Sequence, residues 1–136
     1  MHRLLALLCA ALCASALAAC GSTVSTSGLS GAKRDVAQTI ADLQSDATAR
    51  NEKKICANDL AAATVARLGG VKGCEAAVED QLKQVDSLEV TVQSIKPAKG
   101  ETTATAQVKS IFQGKSRVSS LSLVRQGGKW KISGAG

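Results

Sequence analysis

The chain has 136 residues, a formal net charge of +6 and 45% hydrophobic residues, enough for a single domain with its own core. It has one His, no Tyr, and only Phe112 and Trp130 as aromatic residues. So few rings exclude a base-stacking nucleic-acid platform, and so little imidazole and phenol argues against most acid–base enzymes.

His2 and Arg3 give a short positive start, and Leu4 to Leu17 is an apolar run of 14 residues broken only by Ser15. A spanning helix needs about 20 apolar residues, so this run reads as a secretory signal. Its end, Leu17-Ala18-Ala19-Cys20, resembles the lipobox of bacterial lipoproteins, in which the Cys becomes the first mature residue and carries a thioether-linked diacylglycerol. The resemblance implies that residues 1–19 are removed, that Cys20 is lipidated, and that the protein sits on the extracytoplasmic face of a cell membrane. The competing reading is an ordinary signal peptide cut after Ala16 or Ala18. Two acyl chains anchor firmly where one is marginal, at about 0.8 kcal/mol per buried CH2. Cys9 and Cys13 lie inside the apolar run and read as filler.

Residues 21–30 (Gly-Ser-Thr-Val-Ser-Thr-Ser-Gly-Leu-Ser) read as a flexible tether behind Cys20, and the folded domain is expected over residues 31–136. Val36, Ile40, Leu43 and Ala47 recur at helical spacing and predict a helix from Gly31 to Ala47, with Ser30 as N-cap. Shorter helices are expected over 52–57, over 59–68 with Asn58 as N-cap and Gly69-Gly70 as stop, and over 72–85. Cys56 and Cys74 are the even pair left once Cys20 is taken, and an oxidising compartment predicts a disulfide between them. The bridge would tie the second helix to the start of the last. A metal site fails for want of ligands, because His2 leaves with the signal.

After Asp86 the apolar period changes from 3.6 to 2. Leu88, Val90 and Val92 alternate with polar residues; so do Ala104, Ala106, Val108 and Phe112, then Leu121 and Leu123, then Trp130 and Ile132. Turns fall at Pro97–Gly100, Gln113-Gly114 and Gln126–Gly128. Helices followed by a four-strand antiparallel meander make an α+β domain, with the helices on the apolar face of the sheet. Charge divides along the same line. Residues 31–86 hold 8 basic and 9 acidic residues, and residues 87–136 hold 8 basic and 2 acidic. The basic half could lie against anionic headgroups, at roughly 1 kcal/mol per residue. The simpler account is a set of solvated strand charges.

The Cys-bearing helical pair (Ile55-Cys56-Ala57, Gly73-Cys74-Glu75), the strand Thr102 to Val108 and the ending Gly127-Gly128-Lys129-Trp130-Lys131-Ile132 resemble small nuclear transport factor 2-like (cystatin-like) domains of bacterial, often actinobacterial, lipoproteins. The resemblance implies a curved sheet wrapped on helices, a cone that can hold a ligand, and a sheet that often pairs with a second copy as a homodimer. Enzymes of that shape, such as ketosteroid isomerases, polyketide cyclases and scytalone dehydratase, place Asp, Tyr or His inside the cone. The kept part of this chain has neither Tyr nor His, so acid–base work would fall to carboxylates. Asp42, Asp46 and Asp59 are the candidates, and all three read as surface or capping residues. There is no Gly-x-Ser-x-Gly, Walker-type or zincin motif. The expectation is a non-enzymatic, membrane-anchored interaction module of the cell envelope, without cofactor or metal, binding an unidentified envelope protein. The alternative is a carrier of an apolar small molecule or lipid in the cone.

Overall fold

The computed structural model describes residues 24–85 and 88–136. The signal segment and the lipidation expected at Cys20 lie outside the described residues.

The first helix, α1 (Gly31–Thr48), follows the apolar stripe read from the sequence: Val36, Ala37, Ile40, Ala41 and Ala47 are buried along it. Ser30 stands at the N-cap in an extended conformation, but its side chain makes no capping hydrogen bond. Gln44 is also buried on this helix, at 1% exposure, and its Nε2 donates to Leu88 O at 2.9 Å. A buried amide needs such a partner, and the bond ties α1 to the start of the sheet.

The next segment departs from expectation. α2 (Glu52–Lys54) is one turn, capped by the Asn51 side chain, which accepts from Lys54 N at 3.1 Å. The chain then widens into a π turn (Ile55–Asp59), closed by Leu60 N donating to Ile55 O at 3.0 Å. The expected helix over 59–68 shrinks to α3 (Ala62–Arg67), whose N-cap is Ala61 rather than Asn58. Tertiary pairing overrides helix propensity here. Leu60 is extended and bridges Ile132 in parallel, and Ala61 N donates to Ile132 O at 2.8 Å. The segment thereby covers the outer edge of the last strand, which would otherwise expose unpaired backbone groups.

α4 (Gly70–Leu82) starts two residues before the expected Lys72. The α3–α4 junction is tight: a Cβ added at Gly73 would come within 2.1 Å of Leu68 O. Only glycine fits that approach. Beside it, Cys56 and Cys74 form the predicted disulfide, with Cα atoms 6.1 Å apart. It joins the π turn to α4, so the helical layer is fastened covalently as well as packed.

The strands β1 (Leu88–Pro97), β2 (Thr103–Phe112), β3 (Lys115–Gln126) and β4 (Lys129–Ala135) form one antiparallel sheet in chain order. Register shifts between Val92 and Ser94 on β1, and between Ser122 and Leu123 on β3 opposite β4, mark bulges that bend the sheet. The sheet is curved and unclosed, and the domain is α+β. Its inner face packs Val90, Ile95, Ala104, Ala106, Val108, Leu123, Trp130 and Ile132 against Val36, Ala37, Ile40 and Ala41 of α1. Alternation along each strand selects these residues. Val24 is 9% exposed and Leu29 packs on the same cluster, so the packed domain reaches back into the stretch expected to be a loose tether.

Candidate functional site

Asp35, Gln38, Asp42 and Asp46 follow one another at three- or four-residue intervals along α1, beside the stripe that enters the core. Gln38 Nε2 donates to Asp42 Oδ1 at 2.8 Å along this row. The row forms one wall of an open cleft of about 690 Å³. Lys54 of α2, the end of the π turn with Asn58 and Asp59, and the start of β4 with Lys129, Trp130 and Lys131 line it as well. Thr39 Oγ1 fixes the two walls by donating to Trp130 O at 3.1 Å.

Asp59 is the unusual residue of this cleft. Sequence reasoning placed it on the surface or in a helix cap, but it is 3% exposed. The π turn carries it inward, because the chain must leave the helix there to reach β4. Its carboxyl is pushed up from the ordinary 3.8 to about 7, first by burial, then by a hydrogen bond and charge from Asp46 and by the charge of Asp42. The positive charge of Lys131 opposes the shift without cancelling it; the Lys131 ammonium donates to Asn58 O next door. The Asp46–Asp59 contact requires a proton on one of the two groups, since two carboxylates have none to share. Asp42 is exposed and Asp46 half-buried, so of the three candidates only Asp59 is withdrawn from water.

Two buried polar atoms in the cleft walls have no hydrogen-bond partner among the described residues, Asp59 Oδ2 and Trp130 Nε1. Trp130 is itself only 4% exposed. A second groove, of about 560 Å³, lies where the start of α3 meets the sheet, and Ala61, Ala98, Ala104 and Leu123 give it an apolar lining. Among the described residues no cluster of three or more His, Cys, Asp or Glu is placed to hold a metal, and no helix is long and apolar enough to cross a membrane.

With this architecture in view, comparison with solved structures gives one match that bears on the fold. A protein named Rd1NTF2_05, carrying five substitutions, aligns over 76% of this chain and 96% of its own, at 14% identity and a TM-score of 0.54. The fold is nuclear transport factor 2-like. At that identity the likeness concerns the nuclear transport factor 2-like architecture alone. The intermembrane-space region of the chloroplast protein ARC6 aligns over 67% of this chain and 90% of its own, at 8% identity and a TM-score of 0.33, too loosely to argue from. No family model and no curated protein matches the chain.

The sequence signal that could have located the cleft was the acidic row on α1, since Asp42 and Asp46 are one turn apart. Asp59 and Trp130 gave no such signal. They join the row only through tertiary docking.

Proposed function

We propose that this chain is a bacterial lipoprotein of the cell envelope, held on the extracytoplasmic face by lipid on Cys20, whose nuclear transport factor 2-like domain acts by binding rather than by catalysis. The observation that carries the reading is the Cys56–Cys74 disulfide behind a lipobox-like Leu17-Ala18-Ala19-Cys20. Structural disulfides belong to oxidising compartments, and the signal directs the chain to one. The core supports binding at the surface: Val36, Ala37, Ala106 and Leu123 are at most 1% exposed, so apolar packing fills the middle of the cone. The groups left over are the polar ones of the open cleft. A protonatable carboxyl there does not by itself make an enzyme, because acid–base catalysis gains most where the reacting atoms are shut away from water.

Fractionation of the full chain in its own host tests the anchor. The mature protein is expected to begin at Cys20, to carry a diacylglyceryl group by mass spectrometry and to sediment with membranes, and Cys20→Ser is expected to release it. Retention of residues 1–19, or membrane association of the Cys20→Ser chain, would contradict the proposal. The apolar groove by Ala61 and Leu123 favours a second reading, carriage of an apolar small molecule or lipid. Native mass spectrometry of the membrane-extracted protein separates the two, since a carrier retains a lipid-sized adduct after detergent removal.

A further inference from the structure

We propose that the tip of the β2–β3 hairpin, residues 109–118, is a docking surface for an anionic lipid bilayer. The proposal rests on the reading of the chain as a lipid-anchored envelope protein and names the face that it turns to the membrane. Four large apolar side chains stand exposed among the described residues, and two of them, Ile111 and Val118, belong to this tip at 36% and 57% exposure. They share one face of the sheet: Val118 pairs with Lys109, and Ile111 pairs with Ser116 in the next row of that face. Lys115 and Arg117 stand on the opposite face of the same hairpin, and both are exposed. Gln113 and Gly114, with φ of 50° and 75°, make the tight two-residue turn that joins the strands. A hairpin tip meets a flat surface end-on, so the cations of both faces count together with the apolar side chains.

The architecture of the sheet does not explain these cations. Lysines guard edge strands against pairing with other chains, but β2 and β3 are the two inner strands of this sheet. The tip is also close to one-signed. Residues 102–136 contain no Asp or Glu, and the acid opposite the tip is Glu89, which β1 pairs with Ile111. Basic side chains set around exposed apolar ones fit anionic headgroups over hydrocarbon. The other exposed pair, Leu68 and Val71, lies between Arg67 and Lys72, but Arg67 is already bonded to Ser133 O at 2.8 Å. The length of the tether brings the bilayer within reach. Val24 is packed in the core, so residues 21–23 alone separate the folded domain from Cys20. Four peptide steps span at most about 14 Å, close to the roughly 13 Å radius of gyration of a domain of this size. A domain held that near rests on the headgroups, where charge acts over about 8 Å. One attachment point lets it roll, and the basic, apolar tip is the face that gains by contact. Each cation near such a surface strengthens contact about fivefold. Acyl chains contribute far more, so the tip orients the domain and does not hold it, and Cys20→Ser is still expected to release the chain.

The test uses the protein as its host processes it, 15N-labelled and reconstituted in nanodiscs of phosphatidylcholine, either alone or with phosphatidylglycerol added. A gadolinium chelate on a few headgroups broadens the amide NMR signals of whatever lies against the bilayer. In the anionic discs the broadening is expected to centre on residues 109–118. Neutral discs should remove that preference, and so should about 1 M salt, which screens charge within about 3 Å. Lys109→Gln, Lys115→Gln and Arg117→Gln, all at exposed positions, should together lower the docked-to-undocked ratio about a hundredfold, and each alone about fivefold. Broadening centred on another face, such as Leu68 and Val71, overturns the proposal. So does a tip pattern that is the same in neutral discs, or one that the triple variant leaves unchanged. Tip signals that shift with protein concentration in neutral discs overturn it as well, since they mark a second copy of the chain as the occupant. The anchor is read separately, from the mass of the processed protein. If that protein carries no lipid and enters no disc, anionic vesicles are added to it in solution at low salt, and tip signals that fail to shift overturn the docking surface on their own.

Discussion

The two sides of α1 obey opposite rules. On one side Val36, Ala37, Ile40 and Ala41 meet the sheet, and the single polar group admitted, Gln44, is bonded to Leu88 O. A helix turn away, Asp42 and Asp46 face Asp59, where burial and like charge raise a carboxyl to about 7. The first side stabilises the fold, and the second opposes it. Groups held against their own preferences concentrate where a protein binds or reacts. Substitutions on the two sides should therefore differ in sign as well as in size.

The largest loss is expected on the core side. Leu123 is 1% exposed on the inner face of β3. Leu123→Ala should lower stability by about 2–5 kcal/mol, through lost burial and the cavity left behind. Urea unfolding followed by the fluorescence of the single Trp130 measures it. A loss well under 1 kcal/mol would mean that the cone is looser than the packing shows, and would lend weight to the carrier reading. The disulfide comes next. Replacing Cys56 and Cys74 together by Ser should cost about 3 kcal/mol, from the loop of 18 residues that it closes. Dithiothreitol should have the same effect on the wild-type chain and none on the double variant.

Much of the core side was legible in the sequence. The stripe on α1, the change of period after Asp86 and the parity of Cys56 and Cys74 each report a local rule that the tertiary structure obeys. The cleft side was only half legible, for a physical reason. Asp42 and Asp46 announce a shared helix face, but Asp59 looks like a helix start, because no local pattern reveals that Leu60 and Ala61 will pair with Ile132. That pairing stops the helix, makes the π turn and buries the carboxylate. The same kind of long-range packing hid the burial of Val24 in a stretch whose composition reads as coil.

Asp59 should also set the pH dependence of stability. Its carboxyl holds a proton more tightly in the folded chain than in the unfolded one. Between about pH 4 and pH 7 the folded state therefore binds more protons, and stability falls as pH rises through that window. The facing groups that set the effect are Asp46 and Asp42 on α1 and Lys131 on β4. Between pH 5 and pH 8 the loss should be about 3 kcal/mol, from roughly two pH units of unequal protonation. Asp59→Asn, which removes the titration and keeps the shape, should flatten the profile and raise Tm at pH 8. A wild-type Tm that rises from pH 5 to pH 8 would contradict the assignment.

The smallest effect is expected where like elements of charge stand in water. Lys83, at the end of α4, lies 3.4 Å from Glu79 and 3.2 Å from Asp80, and all three side chains are more than half exposed. Its ammonium is held above the usual lysine range, chiefly by the Asp80 hydrogen bond and then by Glu79. A raised lysine contributes only below its unfolded pKa, and that contribution is lost as pH rises through the higher folded value. The window thus lies above pH 10.5, outside the range where Asp59 titrates. Water and salt screen such pairs, so Lys83→Gln should leave Tm unchanged between pH 5 and pH 8. Charge counts at Asp59 and not on α4 because the Asp59 carboxyl is buried while the Lys83, Glu79 and Asp80 side chains stand in water. If Lys83→Gln moved Tm as far as Asp59→Asn does, desolvation would not be what distinguishes the cleft.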